Sequence, residues 1–474
     1  GSTRGSSWSS PEPAPRTTPR IDKAAAVVPK CRMAYTAPKI VVTPPGPKAR
    51  EWIRKDSEML SPSLSRSSQL VGVKGEGVYV EDADGNVFLD FGSGIAVNSL
   101  GHRHPEVIAA IKAQLDRLVF LNSLDYFTVP QIEYAEMIFR VTPGDFAKRI
   151  FYTNSGSEAI DTAIKMAKWH TRRPYGIGFV NGFHGRTVGA VSFTTTGAAA
   201  RRGFAPLYPI GQFVPYPYCY RCLFHREYPS CDLHCLSYLT DVTLKKITPP
   251  DEVAFVLVEP IQGAGGYIVP PREFLPRLAE ICRRHGILLV VDEVQTGFAR
   301  TGAMFACQHS GVEPDILVLS KALAHGFPAG AAVARAEVMD WEPGAHEGTL
   351  NGGPVIMEAA KAVLRVIERD RIVERAREQG HYLRKQMEAL KERYPLIGDV
   401  RGLGLMVGVE LIEDARQTPA KDRRDRLLAE AFARGLLLLG AGECSIRLAP
   451  PLIVTREQID MGLSIIEDCL KIVG

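Results

Sequence analysis

GILLVVDEVQTGFARTG, from Gly286 to Gly302, is the segment that decides the fold class of this chain. Five apolar residues, beginning at Ile287, are followed directly by two acids, Asp292 and Glu293. A continuous apolar run of this length predicts a strand that is buried on both faces, as in a parallel sheet. Ligands of open α/β sheets bind where the strands end. The two carboxylates are therefore candidates for a binding site.

Two further apolar runs have the same form, AFVLVEPI at residues 254–261 and DILVLSKAL at residues 315–323. Helical patterns separate the three runs, which is the βαβ order of a parallel sheet. Each run ends in a side chain that can carry charge: Glu259, Asp292 or Lys321. One such residue is usually just solvated. Because parallel strands end at the same edge, we expect an α/β fold in which all three side chains meet.

A possible anion site lies in the segment FYTNSGSEAIDTAIKMAKWH, residues 151–170. Its apolar residues recur at helical spacing after Ser155, Gly156 and Ser157. A helix that begins in a glycine and hydroxyl-rich turn offers free N–H groups and the positive end of its dipole to an anion. Taken alone, the turn is more typical of an ordinary N-cap by Ser155 or Ser157, and the anion site gains weight only from other signs of a phosphate.

An amine, a carboxylate and an anion cradle are together the groups that pyridoxal phosphate requires. The cofactor needs an amine for a Schiff base, an acid that keeps its pyridine nitrogen protonated, and a phosphate site. Lys321 is the candidate amine and Asp292 the candidate acid. The buried run before Asp292 excludes water and so strengthens such a charge pair.

The motifs of the chain resemble the class III aminotransferases, the 4-aminobutyrate and ornithine group of fold type I pyridoxal phosphate enzymes. The similarity runs from about Asp90 to Arg447, and its motifs stand in family order: DFGSGIAV, GHRHPEV, NSGSEA, NGFHGRT, EPIQGAGG, VDEVQTGFARTG, DILVLSKAL and IRLAPPL. The resemblance implies a large domain with a mostly parallel central sheet flanked by helices, and a smaller discontinuous α+β domain. It implies transfer of an amino group from ornithine, 4-aminobutyrate or another α- or ω-amino acid to 2-oxoglutarate.

The resemblance also assigns roles around the cofactor. Lys321 is expected as the Schiff-base lysine and proton carrier, and Asp292 as the partner of the pyridine nitrogen; these two are the catalytic candidates. Gln295 is expected to donate to the ring hydroxyl, while Phe183 and Val294 sandwich the ring. The complete set of expected cofactor contacts is Ser155, Gly156, Ser157, Phe183, His184, Glu259, Asp292, Val294, Gln295, Lys321 and Thr349.

Thr349 matches a family threonine that completes the phosphate site of the neighbouring subunit. The resemblance therefore implies a homodimer or a higher homo-oligomer with a shared active site. The segment EGTLNGGPV departs from the usual aromatic-containing pattern, because Leu350 and Asn351 follow the threonine.

Three residues are the expected substrate contacts: Ile95, Arg186 and Arg447. Arg186 matches the family arginine for a distal carboxylate, and Arg447 the one for the α-carboxylate, a task suited to bidentate pairing. Enzymes for 4-aminobutyrate usually have an acid after EPxQG that neutralises this second arginine, whereas this chain has Ala264. Since an unpaired buried arginine is costly, α-amino acids are the favoured first substrates.

Two reactions of an α-amino acid are open. After Lys321 removes the Cα proton, return of a proton to the cofactor completes transamination, and return to Cα from the opposite face gives racemisation or epimerisation. The sequence does not identify a donor on that face, so transamination leads and the racemase remains the alternative. A nicotinamide enzyme is disfavoured because QGAGGY lacks the Gly-x-Gly-x-x-Gly spacing.

Four of the nine cysteines crowd into one insertion: Cys219, Cys222, Cys231 and Cys235. Their Cys-x2-Cys and Cys-x3-Cys spacing is typical of metal ligands. Disulfides are an almost equal alternative, and free thiols are the third. A few members of the family carry a cysteine pair that binds an iron–sulfur cluster across the dimer.

The predicted domain order is discontinuous. We expect a disordered tail over residues 1–45, rich in Ser, Pro and Arg; a transit peptide is less favoured because the prolines oppose an amphipathic helix. Residues 46–104 and 366–474 are expected to form the small domain. Residues 105–365 are expected to form the large cofactor-binding domain, with the cysteine-rich insertion at 215–238.

Composition excludes some classes of partner. The 474 residues are 45% hydrophobic, and 57 basic against 53 acidic residues leave a net charge of +4. This near balance gives no general attraction for nucleic acid. No apolar run approaches the ~20 residues that cross a membrane. We expect a cytoplasmic enzyme whose partners are small amino and 2-oxo acids.

Overall fold

The computed structural model describes residues 35–208 and 212–474. The strands are β1 Gly72–Glu76, β2 Tyr79–Asp82, β3 Val87–Asp90, β4 Lys148–Thr153, β5 Tyr175–Phe179, β6 Gln212–Val214, β7 Val253–Val258, β8 Leu288–Asp292, β9 Ile316–Leu319, β10 Gly330–Arg335, β11 Ile397–Leu403, β12 Met406–Leu411, β13 Leu436–Leu437, β14 Leu439–Ala441 and β15 Ser445–Leu448.

The α-helices are α1 Pro47–Met59, α2 Ser93–Ala96, α3 Pro105–Leu115, α4 Val129–Val141, α5 Gly156–Thr171, α6 Val188–Phe193, α7 His234–Ser237, α8 Phe274–His285, α9 Pro354–Arg369, α10 Ile372–Arg393, α11 Lys421–Ala433 and α12 Arg456–Val473. A π-helix, Tyr238–Ile247, follows α7 directly.

Seven strands form the central sheet, in the order β4-β10-β9-β8-β7-β5-β6. The neighbours from β9 to β6 are all parallel, and β10 is antiparallel to both β9 and β4. The three apolar runs of the sequence are adjacent in this sheet as β7, β8 and β9. The predicted α/β fold with a mostly parallel central sheet is confirmed.

Strand β8 shows why its sequence is continuously apolar. Leu289 and Val291 belong to one hydrophobic core, whereas Val290 belongs to a second core that also contains Ile160 and Ala163 of α5. Successive side chains of a strand point to opposite faces, so a sheet covered by helices on both faces needs apolar residues at every position. Only Asp292, where the strand ends, is free to carry charge.

Two smaller sheets have the strand orders β1-β2-β3-β13 and β11-β12-β15-β14. Leu436 of β13 pairs with Leu89 of β3 in parallel register, so the C-terminal part of the chain joins the N-terminal hairpin. That pairing is what a discontinuous small domain requires. The described residues form one compact unit, and the boundaries at 46–104, 105–365 and 366–474 stay predictions.

The predicted tail needs one correction. Residues 1–34 lie outside the described residues, but residues 35–45 contact the hairpin: the Lys39 N–H donates to Val87 O at 2.8 Å, and the Val41 N–H donates to Asn86 Oδ1 at 2.8 Å. A tail limit at residue 45 is therefore wrong, because this segment satisfies the edge of β3. Within the described parts of the chain, no helix has both the length and the apolarity to cross a membrane; cytoplasmic location stays a prediction.

Candidate active site

The carboxyl ends of β7, β8 and β9 bring three ionisable side chains together. Glu259 follows β7, Asp292 ends β8, and Lys321 lies two residues beyond β9. Removal from solvent lowers the pKa of Lys321 to about 8, the positive charge of Arg447 also lowers it, and the nearby charges of Asp292 and Glu259 oppose this shift. The three residues that the sequence predicted to meet are thus electrostatically coupled at one sheet edge, where Arg447 joins them.

Asp292 is held by His184. The Nδ1 of His184 lies 2.7 Å from Oδ2 of Asp292, and the N–H of Val294 donates to Oδ1 at 3.0 Å. An ionised carboxylate only accepts hydrogen bonds, so Nδ1 carries the proton. The backbone N–H of His184 in turn donates to Thr194 Oγ1 at 3.0 Å. The ring and the carboxylate are consequently fixed in orientation.

Glu259 links two loops. Its Oε1 accepts from the N–H of Phe183 at 2.9 Å, and its Oε2 accepts from the N–H of Gly263 at 2.8 Å. Burial raises the pKa of Glu259 to about 7; the charge of His184 opposes this rise and that of Asp292 adds to it. Because both carboxylate oxygens are engaged by backbone donors, Glu259 organises the segments that carry Phe183 and Gly263.

The start of α5 is compatible with both an N-cap and an anion site. Ser155 is the N-cap, and its side chain accepts from the N–H of Glu158 at 3.2 Å. The N–H groups of Gly156 and Ser157 begin the helix and therefore have no acceptor within it. A Cβ at Gly156 would lie 3.0 Å from Val294 Cγ1. Glycine thus lets the helix start approach the site closely.

The hydroxyl of Ser157 has protein partners. Its Oγ accepts from the N–H of Arg186 at 2.8 Å and from the N–H of Thr187 at 3.1 Å. This hydroxyl ties the helix start to the GFHGRT segment. The free N–H groups of the turn remain available to an anion in the way a helix N-terminus provides.

The expected ring contacts lie around the same edge. Val294 packs against Gly156, and Gln295 is buried with no partner for its Oε1 among the described residues. A Cβ on Gly263 would collide with that oxygen, which explains the glycine. The guanidinium of Arg186 lies 4.8 Å from the ring centroid of Phe183, and Arg186 itself is exposed.

Lys321 has a strained backbone. Its φ is 49°, in the left-handed region that non-glycine residues rarely adopt, and His325 four residues later has φ 52°. The preceding Ser320 donates from Oγ to Ala329 O at 2.6 Å. Strain of this kind costs on the order of 1–3 kcal/mol per residue and concentrates at functional sites. The turn after β9 is thus shaped to orient the lysine.

The expected substrate residues differ in their surroundings. Arg447 lies in β15 opposite Gly408 of β12. Within the described residues its guanidinium has no hydrogen bond or ion pair to a side chain, and its buried Nε is unpartnered. Ala264 leaves no acid at the position that would neutralise it.

Ile95 is 44% exposed and lies in α2, one turn whose four residues all have left-handed φ.

Thr349 is exposed in the loop before α9. Two residues later, Asn351 Oδ1 accepts from Asn154 Nδ2 at 2.8 Å. Asn154 immediately precedes the N-cap of α5, so this loop approaches the anion site of its own chain through Asn351. Sequence analysis noted Asn351 only as a departure from the family pattern.

Two residues that support the segments around the site were not predicted from the sequence. Thr194 accepts from the backbone of His184, and Arg300 is fully buried, donating to Leu405 O at 3.0 Å and to Pro450 O at 2.6 Å. The partner of Thr194 lies ten residues away, whereas those of Arg300 lie more than a hundred residues along the chain. The FARTG motif carried the only local signal for Arg300.

The cysteine-rich insertion brings its four cysteines together. Four cysteines line one small cavity: Cys219, Cys222, Cys231 and Cys235. All four are free thiols among the described residues. In the same part of the chain, no group of three or more His, Cys, Asp or Glu is arranged to hold a metal ion. Burial raises the pKa of both Cys219 and Cys235 to about 11. The four thiols thus lie around one cavity without a bond between them, and the metal-binding role of the cluster stays a prediction.

The insertion is attached to the small sheet by a buried carboxylate. Glu410 of β12 accepts from Tyr218 and Arg221 of the insertion, and Arg401 Nη1 lies 2.7 Å from its Oε2. The two arginines and the hydroxyl hold the pKa of Glu410 below its usual value despite its burial. This network lies on the strand that pairs with β15, which carries Arg447.

Comparisons with known proteins agree on one family. A family model described as aminotransferase class-III matches residues 63–470. An alanine/serine racemase of Pyrococcus horikoshii is 38% identical, over 92% of this chain and 93% of the relative. A probable 4-aminobutyrate aminotransferase of Bacillus subtilis is 37% identical, over 89% and 97%. The crystal structure of a PLP-bound amine transaminase from an uncultivated Pseudomonas species has a TM-score of 0.81 and 33% identity, over 88% and 98%.

Proposed function

Because this chain belongs to the class-III aminotransferases, a pyridoxal-phosphate-dependent family, we propose that it transfers the amino group of an α-amino acid to 2-oxoglutarate. Ornithine is among the α-amino acids to be tested, and 4-aminobutyrate and other ω-amino acids are the alternative donors. The observation that carries the proposal is that Asp292 ends β8 and Lys321 follows the adjacent strand β9, so the acid and the amine lie at the same end of the central sheet. An amine, an acid and a carboxylate-binding cation are the protein groups that this reaction needs.

The residues present fit the cofactor. A buried carboxylate fixed by His184, a free helix start at Gly156 and the buried side-chain amide of Gln295, whose nitrogen can donate, match a ring nitrogen, a phosphate and a ring hydroxyl. Lys321 would hold the group covalently through Nζ, and Asp292 would pair with its ring nitrogen. When bound, pyridoxal phosphate supplies an electron sink for the charge left at the substrate Cα.

Lys321 is the proposed proton carrier. Its pKa of about 8 lies close to neutrality, so Nζ can release and accept a proton during turnover. Desolvation causes most of this shift, and Asp292 limits it. Lys321 Nζ takes the proton from the substrate Cα and returns it during the reaction.

Arg447 supports an α-amino acid as the donor. Among the described residues the buried Nε of Arg447 has no hydrogen-bond partner, and Ala264 occupies the sequence position of the family's neutralising acid. A substrate carboxylate would satisfy the unpartnered donors of Arg447 in a bidentate arrangement. A donor without an α-carboxylate would leave this partly buried charge unpaired, which is costly.

The experiment that tests the proposal is chiral chromatography of single L-amino acids incubated with cofactor-loaded enzyme, with and without 2-oxoglutarate. We expect consumption of the amino acid only when 2-oxoglutarate is present, with an equal amount of glutamate formed. Faster reaction with 4-aminobutyrate than with any α-amino acid would overturn the preference for the donor class.

Racemisation is the second candidate, favoured by the identity of 38% to an alanine/serine racemase. Both reactions begin when Lys321 takes the Cα proton, and they differ in where a proton is returned. The D-enantiomer would appear without any oxo acid if this candidate were correct. The same incubations therefore separate the two reactions.

We further propose a homodimer in which Thr349 completes the phosphate site of the partner subunit. An apolar surface supports it: Phe127 is 92% exposed, and Val119, Val129 and Leu350 are also exposed. One cleft is lined by Leu124 and Ile132 together with residues 346–348, so this surface adjoins the Thr349 loop. Exposed apolar patches of this kind mark protein interfaces.

A further inference from the structure

Tyr267 is a buried residue of the site that sequence analysis did not assign. It closes the EPIQGAGGY turn, where its N–H donates to Gly263 O at 3.2 Å. Its side chain has no solvent exposure, and its hydroxyl has no hydrogen-bond partner among residues 35–208 and 212–474. A buried tyrosine hydroxyl normally finds a partner, because leaving it unpaired costs on the order of 1–3 kcal/mol. The unpaired hydroxyl of Tyr267 is therefore a candidate hydrogen-bond donor to a ligand.

The position of Tyr267 relative to Arg447 follows from strand register. Gly408 of β12 is directly opposite Arg447 of β15. A Cβ on Gly408 would lie 2.9 Å from the Cβ of Tyr267. Opposite residues of an antiparallel pair project to the same face. Tyr267 therefore packs on the face of the sheet from which Arg447 projects, in space that only glycine leaves free.

The backbone of Tyr267 is fixed in an unfavourable conformation. Its φ is 54°, in the left-handed region. The carbonyl oxygen accepts from Arg401 Nε at 3.2 Å, and the ring packs with Ala96 and Ala449. Ala96 is adjacent to Ile95 and Ala449 lies two residues after Arg447, so both flank expected substrate residues. Strained backbone held by its surroundings is typical of functional positions.

The electrostatic surroundings of the hydroxyl are positive. Burial raises the pKa of Tyr267, and the charges of Arg447 and Arg300 oppose this effect. Both arginines have an unpartnered buried Nε. Two guanidinium groups thus act on the hydroxyl, and within the part of the chain that the structure describes neither of them forms an ion pair with an acidic side chain. An anion is the ligand that can satisfy donors of this kind together.

We propose that the hydroxyl of Tyr267 donates a hydrogen bond to the same substrate carboxylate that Arg447 binds, and that it helps the enzyme to select donors with an α-carboxylate. This inference rests on the proposed function. The turn that has Ala264 in place of an acid carries a hydroxyl donor three residues later. One loop would thus remove a competitor for Arg447 and add a second ligand for the carboxylate.

The test compares two unreactive probes that differ only in the carboxylate. 2-Methylalanine and tert-butylamine both lack a Cα hydrogen, and in the second a methyl group replaces the carboxylate. Dissociation constants are measured from the absorbance change of the cofactor-loaded enzyme, for the wild type, Tyr267→Phe and Tyr134→Phe. Tyr134 is the control because its hydroxyl is also buried and has no partner among the described residues. The residue lies in α4, and its ring packs against Tyr152.

We expect Tyr267→Phe to raise the dissociation constant of 2-methylalanine roughly tenfold, since a hydrogen bond to a charged group is lost. Binding of tert-butylamine should stay within about twofold, as should both probes with Tyr134→Phe. Equal weakening of both probes, or no change for 2-methylalanine, would overturn the inference. A wild-type enzyme whose cofactor spectrum responds to neither probe would refute the proposed function itself, and the inference with it.

A second variant tests the same hydrogen bond if Tyr267→Phe does not fold. Gly408→Ala places a methyl group against the Cβ of Tyr267 and must displace it, while the hydroxyl is retained. We expect the same selective loss of 2-methylalanine binding. Unchanged selectivity between the two probes in this variant would also contradict the proposed hydrogen bond.

Discussion

Nδ1 of His184 and Oδ2 of Asp292 lie 2.7 Å apart, and the side chains are 1% and 4% exposed. A hydrogen bond from a buried ring nitrogen fixes the orientation of a buried carboxyl group. His184 is therefore a positioning residue for the acid that is proposed to face the cofactor ring.

His184→Phe should weaken cofactor binding. Loss of a hydrogen bond to a buried charge costs about 1.5–3 kcal/mol, so the dissociation constant of pyridoxal phosphate should rise roughly 10- to 100-fold. Equilibrium dialysis measures the change. The matched control is His170→Phe, because His170 forms an exposed pair with Asp340 at 2.9 Å. Equal affinity of both variants would contradict the assigned role of His184.

The amine of Lys321 should react at an unusually low pH in the cofactor-free protein. Its pKa is lowered from 10.5 to about 8, so Nζ becomes nucleophilic as the pH passes 8. Mass spectrometry of reductive methylation at each pH gives the midpoint for this residue. Because the charge of Asp292 raises the lysine pKa, Asp292→Asn should move the midpoint below that of the wild type. A midpoint near 10.5 in the wild type would be inconsistent with a desolvated amine.

A glutamate at position 264 should change the preferred donor. In Ala264→Glu the new carboxylate can pair with Arg447 and compete with the substrate carboxylate, so KM for α-amino acids should rise about tenfold. The ratio of kcat/KM for 4-aminobutyrate to that for the best α-amino acid should increase. Ala264→Gln has a similar size without charge and should leave the ratio near the wild-type value. If both variants behave alike, volume and not charge determines the preference.

A mixing experiment tests the shared phosphate site. Lys321→Ala removes the amine, and Thr349→Ala weakens the phosphate contact. In a heterodimer of the two variants, one site has both Lys321 and an intact Thr349 of the partner subunit. Dissociation and reassociation of the mixture should therefore restore activity above that of either variant alone. No gain on mixing, with heterodimers verified by mass, would mean that Thr349 does not act across the interface.

Local sequence was sufficient where chemistry depends on one strand and the turn after it. The apolar runs before Glu259, Asp292 and Lys321 predicted β7, β8 and β9, and parallel order then predicted their common edge. The alternative interpretations of Ser155 were both compatible with the structure, because an N-cap and an anion site use different groups of one turn.

Contacts between distant segments were beyond such reasoning. Asn351 meets Asn154 across 197 residues, and Ser157 is engaged by Arg186 and Thr187 about 30 residues later. Metal-like spacing brings the four cysteines of the insertion to one cavity, although the described residues hold no group of three or more ligands arranged for a metal ion. Spacing constrains which residues can meet, but burial and protonation determine what they can bind.

The sequence by itself determined the class of the fold and the order of the strands' chargeable ends, from which Lys321 and Asp292 were predicted, because periodicity and strand ends are local properties. Only the tertiary structure decided that His184 supports Asp292 from 108 residues away, and that Tyr267 lies over Gly408 beside Arg447. These relationships depend on which strands become neighbours and in what register. Strand order and register are set by the packing of the whole chain, so no short segment encodes them.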